Sequence, residues 1–180
     1  PQAAGMHAAW VEGLTSADMA PTRAVTCIVD TGAIVTPDTP ATDPAGPIVA
    51  RVGLGSIGPD PGPGDVERHG TFMASAAVAP RNGWGTVGLE PQGRVVLVRA
   101  QADSSSAFTA PAVQQAITRC RQFLFEVPMY RIAAVSLSLG HAGMASPAEA
   151  TLIDNQVAQA RQQGIAVVAA AGNQDGATQY

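Results

Sequence analysis

Charge is scarce in this chain of 180 residues: only 13% of them are Asp, Glu, Lys or Arg. Lysine is absent, so the ten basic residues are all arginine, and the formal net charge is −4. That balance argues against a nucleic-acid partner, which favours a basic face. Aromatic residues make up 4%, so Ala, Val, Ile and Leu must build the core. No apolar run approaches the ~20 residues of a membrane span, and the first residues lack the charged and apolar regions of a signal peptide. An exported protein stripped of its leader reads the same way, so composition leaves the compartment open. Cysteine is nearly missing too. Cys27 and Cys120 form no disulfide framework and fit no zinc spacing, and they read as buried free thiols.

What is present is apolar and ordered. Hydrophobic residues make up 46% of the chain, enough for one domain with a sizeable core and far from a disordered composition. Arg23 to Val29, Arg94 to Ala100, Ile132 to Leu137 and Ile165 to Ala171 are nearly continuous apolar runs, as expected of parallel strands buried on both faces. Between them lie helical patterns over residues 69–79, 110–126 and 147–163. Thr109 is the expected N-cap of the second, with Val113, Ala116, Ile117, Cys120 and Leu124 as its buried stripe. Ser146 and Glu149 spell a capping box for the third, whose stripe is Leu152, Ile153, Val157 and Ala160. A short helical patch is expected over His7 to Leu14. From Pro37 to Gly64 prolines and glycines dominate, which makes the region mostly loop with one strand over Pro47 to Leu54. Strands alternating with helices predict an α/β fold with a parallel sheet covered on both faces.

In such a sheet, ligands bind outside the carboxyl ends of the strands. Four features fall there: Asp30, His69, the turn Ser138-Leu139-Gly140, and Gly172-Asn173. A carboxylate that orients an imidazole base, together with an amide that stabilises an oxyanion, suits acyl transfer. His69 opens a helical run, followed by Gly70 and Thr71, which lets other groups come close.

Taken in order, these segments resemble the subtilisin-like serine proteases. Val29-Asp30-Thr31-Gly32 with Pro37-Asp38 resembles the family's aspartate segment, and His69-Gly70-Thr71 with Met73-Ala74 its histidine segment. Asn82-Gly83 through Glu90-Pro91 and Val95 to Arg99 resemble the turn and strand that follow. Val135 to Gly140 is similar to the substrate-binding strand, and Val167 to Asn173 to the oxyanion segment. The resemblance implies a subtilisin-like three-layer α/β fold with a mostly parallel central sheet covered by helices on both faces. It also implies roles. Asp30 would hold the His69 imidazole, His69 would act as general base and then acid, and Asn173 would donate to the oxyanion. Ser138, Leu139 and Gly140 would pair with substrate backbone, Ala169, Ala170 and Ala171 would line the first specificity pocket, and Ala100 to Ser106 would edge neighbouring subsites. No cofactor is implied for catalysis. A structural calcium ion on Asp38 and Asn82 is, with backbone carbonyls and Gln2 completing its oxygen ligands. The partner implied is a peptide or protein substrate, and the compartment extracellular or periplasmic.

The sequence departs from the family pattern where Phe72 replaces a common His, and where Thr36-Pro37-Asp38 replaces His-Pro-Asp. The larger departure is the nucleophile. No Gly-Thr-Ser-Met-Ala segment follows Asn173, and the nearest look-alike, Gly13 to Pro21 with Ser16, lies on the wrong side of Asp30. Residues 1–180 therefore read as an incomplete catalytic domain that carries the Asp, His and oxyanion Asn segments, with the serine expected in a missing C-terminal segment. The alternative is a complete but non-catalytic peptide-binding module or pseudoprotease. Two further patterns are set aside. Asp30-Thr31-Gly32-Ala33 also opens retropepsin-like sites, but those need an all-β chain. Gly53 to Gly58 spells a dinucleotide-binding pattern, but Pro59-Asp60-Pro61-Gly62-Pro63 cannot supply its helix. His7 and His141 read as surface or turn residues, His141 being within reach of substrate.

Overall fold

In a computed structural model of the protein, the residues described are 24–40, 46–53, 65, 67–101, 108–126, 130–140 and 146–172. The patch over His7 to Leu14, the look-alike at Ser16, Gln2, His141, Asn173 and most of the Gly53 to Gly58 pattern lie outside them. Five strands run in chain order as β1 (Ala24–Asp30), β2 (Ile48–Val52), β3 (Val95–Arg99), β4 (Arg131–Leu137) and β5 (Ala166–Ala169). Three helices separate them: α1 (His69–Val78), α2 (Ala110–Glu126) and α3 (Pro147–Gln162). The sheet order is β2-β3-β1-β4-β5, and every pairing is parallel. β1 is therefore central, and its carboxyl end opens between the ends of β3 and β4.

The alternation of side chains along each strand divides the core into two layers. On one face Val25, Cys27 and Val29 of β1 and Val96 and Val98 of β3 pack with Val113, Ala116, Ile117, Cys120 and Phe123 of α2. Ala160 of α3, with Ile132, Val135 and Leu137 of β4, completes that layer. On the other face Ile28, Ile48, Val95 and Leu97 meet Ala74 and Val78 of α1. The three-layer α/β arrangement expected from the apolar runs is thus the one observed. The caps are as expected too: the Ala112 amide donates to Thr109 Oγ1 (3.3 Å), and Ser146 and Glu149 form the reciprocal capping box.

Two expectations are corrected. The cysteines are not free thiols: Cys27 and Cys120 are joined in a disulfide, with their Cα atoms 5.8 Å apart. A separation of 93 residues carries no spacing signal. The packing of α2 on β1 turns both side chains into the same core layer, within bridging range. The last strand is not covered on both faces. Ile165 is buried, but Ala166, Ala169, Ala170 and Ala171 are exposed, and Val168 is 61% exposed. The reason lies in the layers. α1 packs on β1 and β3, whereas α2 and α3 cover β4 and β5 from the opposite face only.

Candidate active site

Asp30 is the last residue of β1, and its carboxylate is held by what surrounds that strand end. The Thr31 amide donates to Asp30 Oδ1 (2.7 Å), and the Ala100 amide beyond β3 donates to the Asp30 carbonyl (2.8 Å). Oδ2 has no hydrogen-bond donor among the described residues. His69 is the first residue of α1, and its Nδ1 lies 2.8 Å from Asp30 Oδ1. The carboxylate side chain is 2% exposed and the imidazole 47%. A buried carboxylate facing Nδ1 favours the tautomer with its proton on Nδ1, which leaves Nε2 of the half-exposed ring as the proton acceptor. The sequence placed Asp30 and His69 on one edge, and the structure brings them into direct contact.

The close approach of α1 to β1 depends on Gly70. A Cβ there would run into the Gly32 carbonyl oxygen and lie 3.1 Å from Asp30 Cβ. Gly32 itself turns the chain at φ 110°, in the region that glycine populates freely. The start of α1 is also held from a distance. Its N-cap residue, Arg68, has φ 58° and makes no side-chain cap. The capping acceptor is Asp65, a buried carboxylate outside the residues expected from the sequence. Its Oδ2 accepts from the Thr71 amide and the Thr71 hydroxyl (both 2.7 Å), and its Oδ1 accepts from the Thr31 hydroxyl (2.5 Å). The Gly70 amide donates to Thr31 Oγ1 (2.9 Å). The available signal was an acid four residues ahead of a helix-starting histidine, where an anion suits the helix dipole. Gln101, just beyond β3, is buried and donates to Glu67 Oε1 (2.9 Å), which ties the expected subsite edge to the loop before His69.

The remaining expected residues lie on the other side of the β1 end. Ser138, Leu139 and Gly140 follow β4, and the Ala170 amide donates to the Leu137 carbonyl (3.0 Å), which sets Ala170 and Ala171 beside that turn. Leu139, Gly140, Ala169, Ala170 and Ala171 form one wall of a cavity of about 470 Å³. Phe108, Val113 and Ile153 also line it. Ser138 does not line it. Gly172 turns at φ 94°, and Asn173 follows outside the described residues. Asp38 and Asn82 sit on two loops stitched together. The Thr86 amide donates to both Asp38 oxygens (3.2 and 3.1 Å), Asn82 Nδ2 donates to the Pro37 carbonyl (3.1 Å), and the Trp84 amide donates to Asn82 Oδ1 (3.0 Å). All three side-chain oxygens of the pair thus accept backbone amide hydrogens. No group of three or more His, Cys, Asp or Glu able to hold a metal gathers among the described residues.

Comparison with known proteins agrees with this fold. Residues 22–180 match the family model described as the subtilase family. Comparison with curated proteins finds no match. Among solved structures the chain is similar to the S41 psychrophilic protease, with TM-score 0.69 and 21% identity over 94% of this chain and 52% of that one. It is also similar to the Clostridium perfringens CspB protease, with TM-score 0.67 and 18% identity over 93% of this chain and 39% of that one. A third is the MycP3 protease from the type VII (ESX-3) secretion system, with TM-score 0.63 and 19% identity over 96% and 45%. The chain spans about half the length of these structures or less. At such identities the likeness is one of fold.

Proposed function

The chain belongs to the subtilase family, and we propose that it is the part of a serine endopeptidase domain that supplies the acid, the base and the oxyanion donor. The observation that carries this reading is the 2.8 Å contact between a buried Asp30 carboxylate and a half-exposed His69 at the carboxyl edge of a parallel sheet. Asp30 holds the Nδ1–H tautomer and faces the imidazolium as it forms. His69 Nε2 takes the proton of a serine hydroxyl as that oxygen attacks the scissile carbonyl, then gives it to the leaving amine. Asn173 donates to the developing oxyanion; in a subtilisin the loss of one such donor costs about 3 kcal/mol.

The nucleophile is proposed to come from a segment beyond residues 1–180, in the same gene product or in a cleaved chain, because no Gly-Thr-Ser-Met-Ala occurs here. By itself this chain is then inactive. Substrate backbone pairs along Ser138 to Gly140 as an added strand. The apolar cavity beside that turn takes a sizeable apolar side chain of a peptide or protein substrate. Catalysis needs no cofactor. Calcium held by Asp38 and Asn82, with backbone carbonyls and Gln2, would brace the loops and supply nothing to the reaction. The buried disulfide favours an oxidising compartment, extracellular or periplasmic.

The test is peptide hydrolysis by the gene product carried past Tyr180, with and without His69→Ala. Activity that depends on His69 is expected, and none from residues 1–180 alone. Hydrolysis that survives His69→Ala overturns the assignment. A stop codon after Tyr180, with no second chain co-purifying, leaves the non-catalytic peptide-binding reading.

A further inference from the structure

We propose that Asp65 is a positioning residue for the Asp30–His69 pair, acting through the single proton of the Thr31 hydroxyl. That hydroxyl faces two carboxylates. Asp65 Oδ1 is 2.5 Å away and Asp30 Oδ1 is 3.2 Å away. Charge-assisted O–H···O⁻ bonds run to about 2.5–2.7 Å, so the first contact is a strong one. The second exceeds the usual ~2.5–3.0 Å range for hydroxyl donors. One hydroxyl has one proton, and the nearer carboxylate takes it. The Thr31 oxygen meanwhile accepts from the Gly70 amide, one residue past His69.

The consequence falls on Asp30 Oδ1. It already receives the Thr31 amide at 2.7 Å and faces His69 Nδ1 at 2.8 Å. A hydroxyl turned toward it would be a third donor on one oxygen, in competition with the imidazole. Asp65 draws that proton away and keeps the Asp30 oxygen for His69. The same carboxylate accepts from Thr71, so the direction of the proton and the seating of α1 are fixed by one buried group, which is 3% exposed.

Replacing Asp65 by asparagine separates the two tasks. The amide has one acceptor oxygen and one NH₂. Thr71 presents two donors, one of them a fixed backbone amide, so the oxygen stays on Thr71 and the NH₂ faces Thr31. Thr31 Oγ1 then becomes an acceptor on that side, and its proton turns onto Asp30.

The experiment is ¹⁵N NMR of the neutral His69 imidazole in the 180-residue chain, with circular dichroism to verify folding. It rests on the Asp30–His69 pairing but needs no nucleophile, so a failed protease assay does not decide it. In the native chain the Nδ1–H tautomer is expected to be the major form; in Asp65→Asn it falls to the minor form. Thr71→Val, which removes the hydroxyl's bond to Asp65 and its acceptance from the Ile34 amide but keeps the amide bond of the cap, is expected to lower the melting temperature and leave the tautomer unchanged. Thr31→Val has no hydroxyl proton to misdirect and keeps the Nδ1–H form, also when combined with Asp65→Asn. A folded Asp65→Asn protein with the native tautomer overturns the proposal and leaves Asp65 a helix cap. If Asp65→Asn does not fold, Thr31→Val decides: loss of the Nδ1–H form there means that the hydroxyl supports Asp30 and does not compete for it.

Discussion

The two sides of the β1 carboxyl end differ in how finished they are. On the side of β3 and α1, Asp30, Thr31, Asp65 and Thr71 are buried, and their hydrogen bonds form one continuous network reaching His69. On the side of β5 the strand is apolar yet open, with Val168 and Ala169 to Ala171 exposed beside an apolar cavity. A proton-handling pair needs fixed geometry, because displacements of about 1 Å can cost a hundredfold in rate. A substrate wall needs surface left uncovered. The contrast teaches that the Asp30–His69 side is fixed by buried hydrogen bonds, while the β5 side is left as open apolar surface.

Four variants sharpen that contrast. Removing the bridge by the double change Cys27→Ser with Cys120→Ser is expected to cost about 2–4 kcal/mol, since the bond constrains a long loop of the unfolded chain. Urea unfolding under non-reducing conditions measures it, and an unchanged midpoint would mean that α2 is held on β1 by packing alone. Gly70→Ala forces a methyl group against the Gly32 carbonyl and is expected to cost about 2–3 kcal/mol, with α1 pushed off Asp30. The same urea midpoint reads the cost, and weakening of the Asp30–His69 contact by NMR reads the displacement. Val168→Ser on the open strand should stay within about 0.5 kcal/mol, as exposed positions do. Val98→Ala in β3, wholly inside the core, should lose about 2–3 kcal/mol. Equal losses at the two valines would mean that the open strand is covered in solution, and the comparison would fail.

The sequence disclosed periodicity and order, and it did so unevenly. The strands around Cys27, Val96 and Val135 were legible because residues buried on both faces leave unbroken apolar runs. Asp30 and His69 were legible because a parallel sheet sends its strand ends to one edge. Asp65 was not. Its partners Thr31 and Thr71 are 34 and 6 residues away, and its place four residues ahead of His69 suggests a helix-start anion without showing that the acid is buried or that it reaches Thr31. The disulfide was hidden for the same reason: strand alternation and helix phase place Cys27 and Cys120 together only once α2 is docked on β1. The exposure of β5 was hidden differently. An apolar run reports what a strand is suited to, and the helices here cover only one face of it.

The central claim is that Asp30 and His69 form a working proton relay for a serine outside residues 1–180. Its most direct measurement is the rate of fluorophosphonate labelling of the gene product that includes the segment beyond Tyr180, compared among the native protein, Asp30→Asn and His69→Ala at matched folding. The account predicts labelling at a downstream serine, slowed by about 10⁴-fold in Asp30→Asn and by more in His69→Ala. Labelling at the native rate in His69→Ala would contradict it.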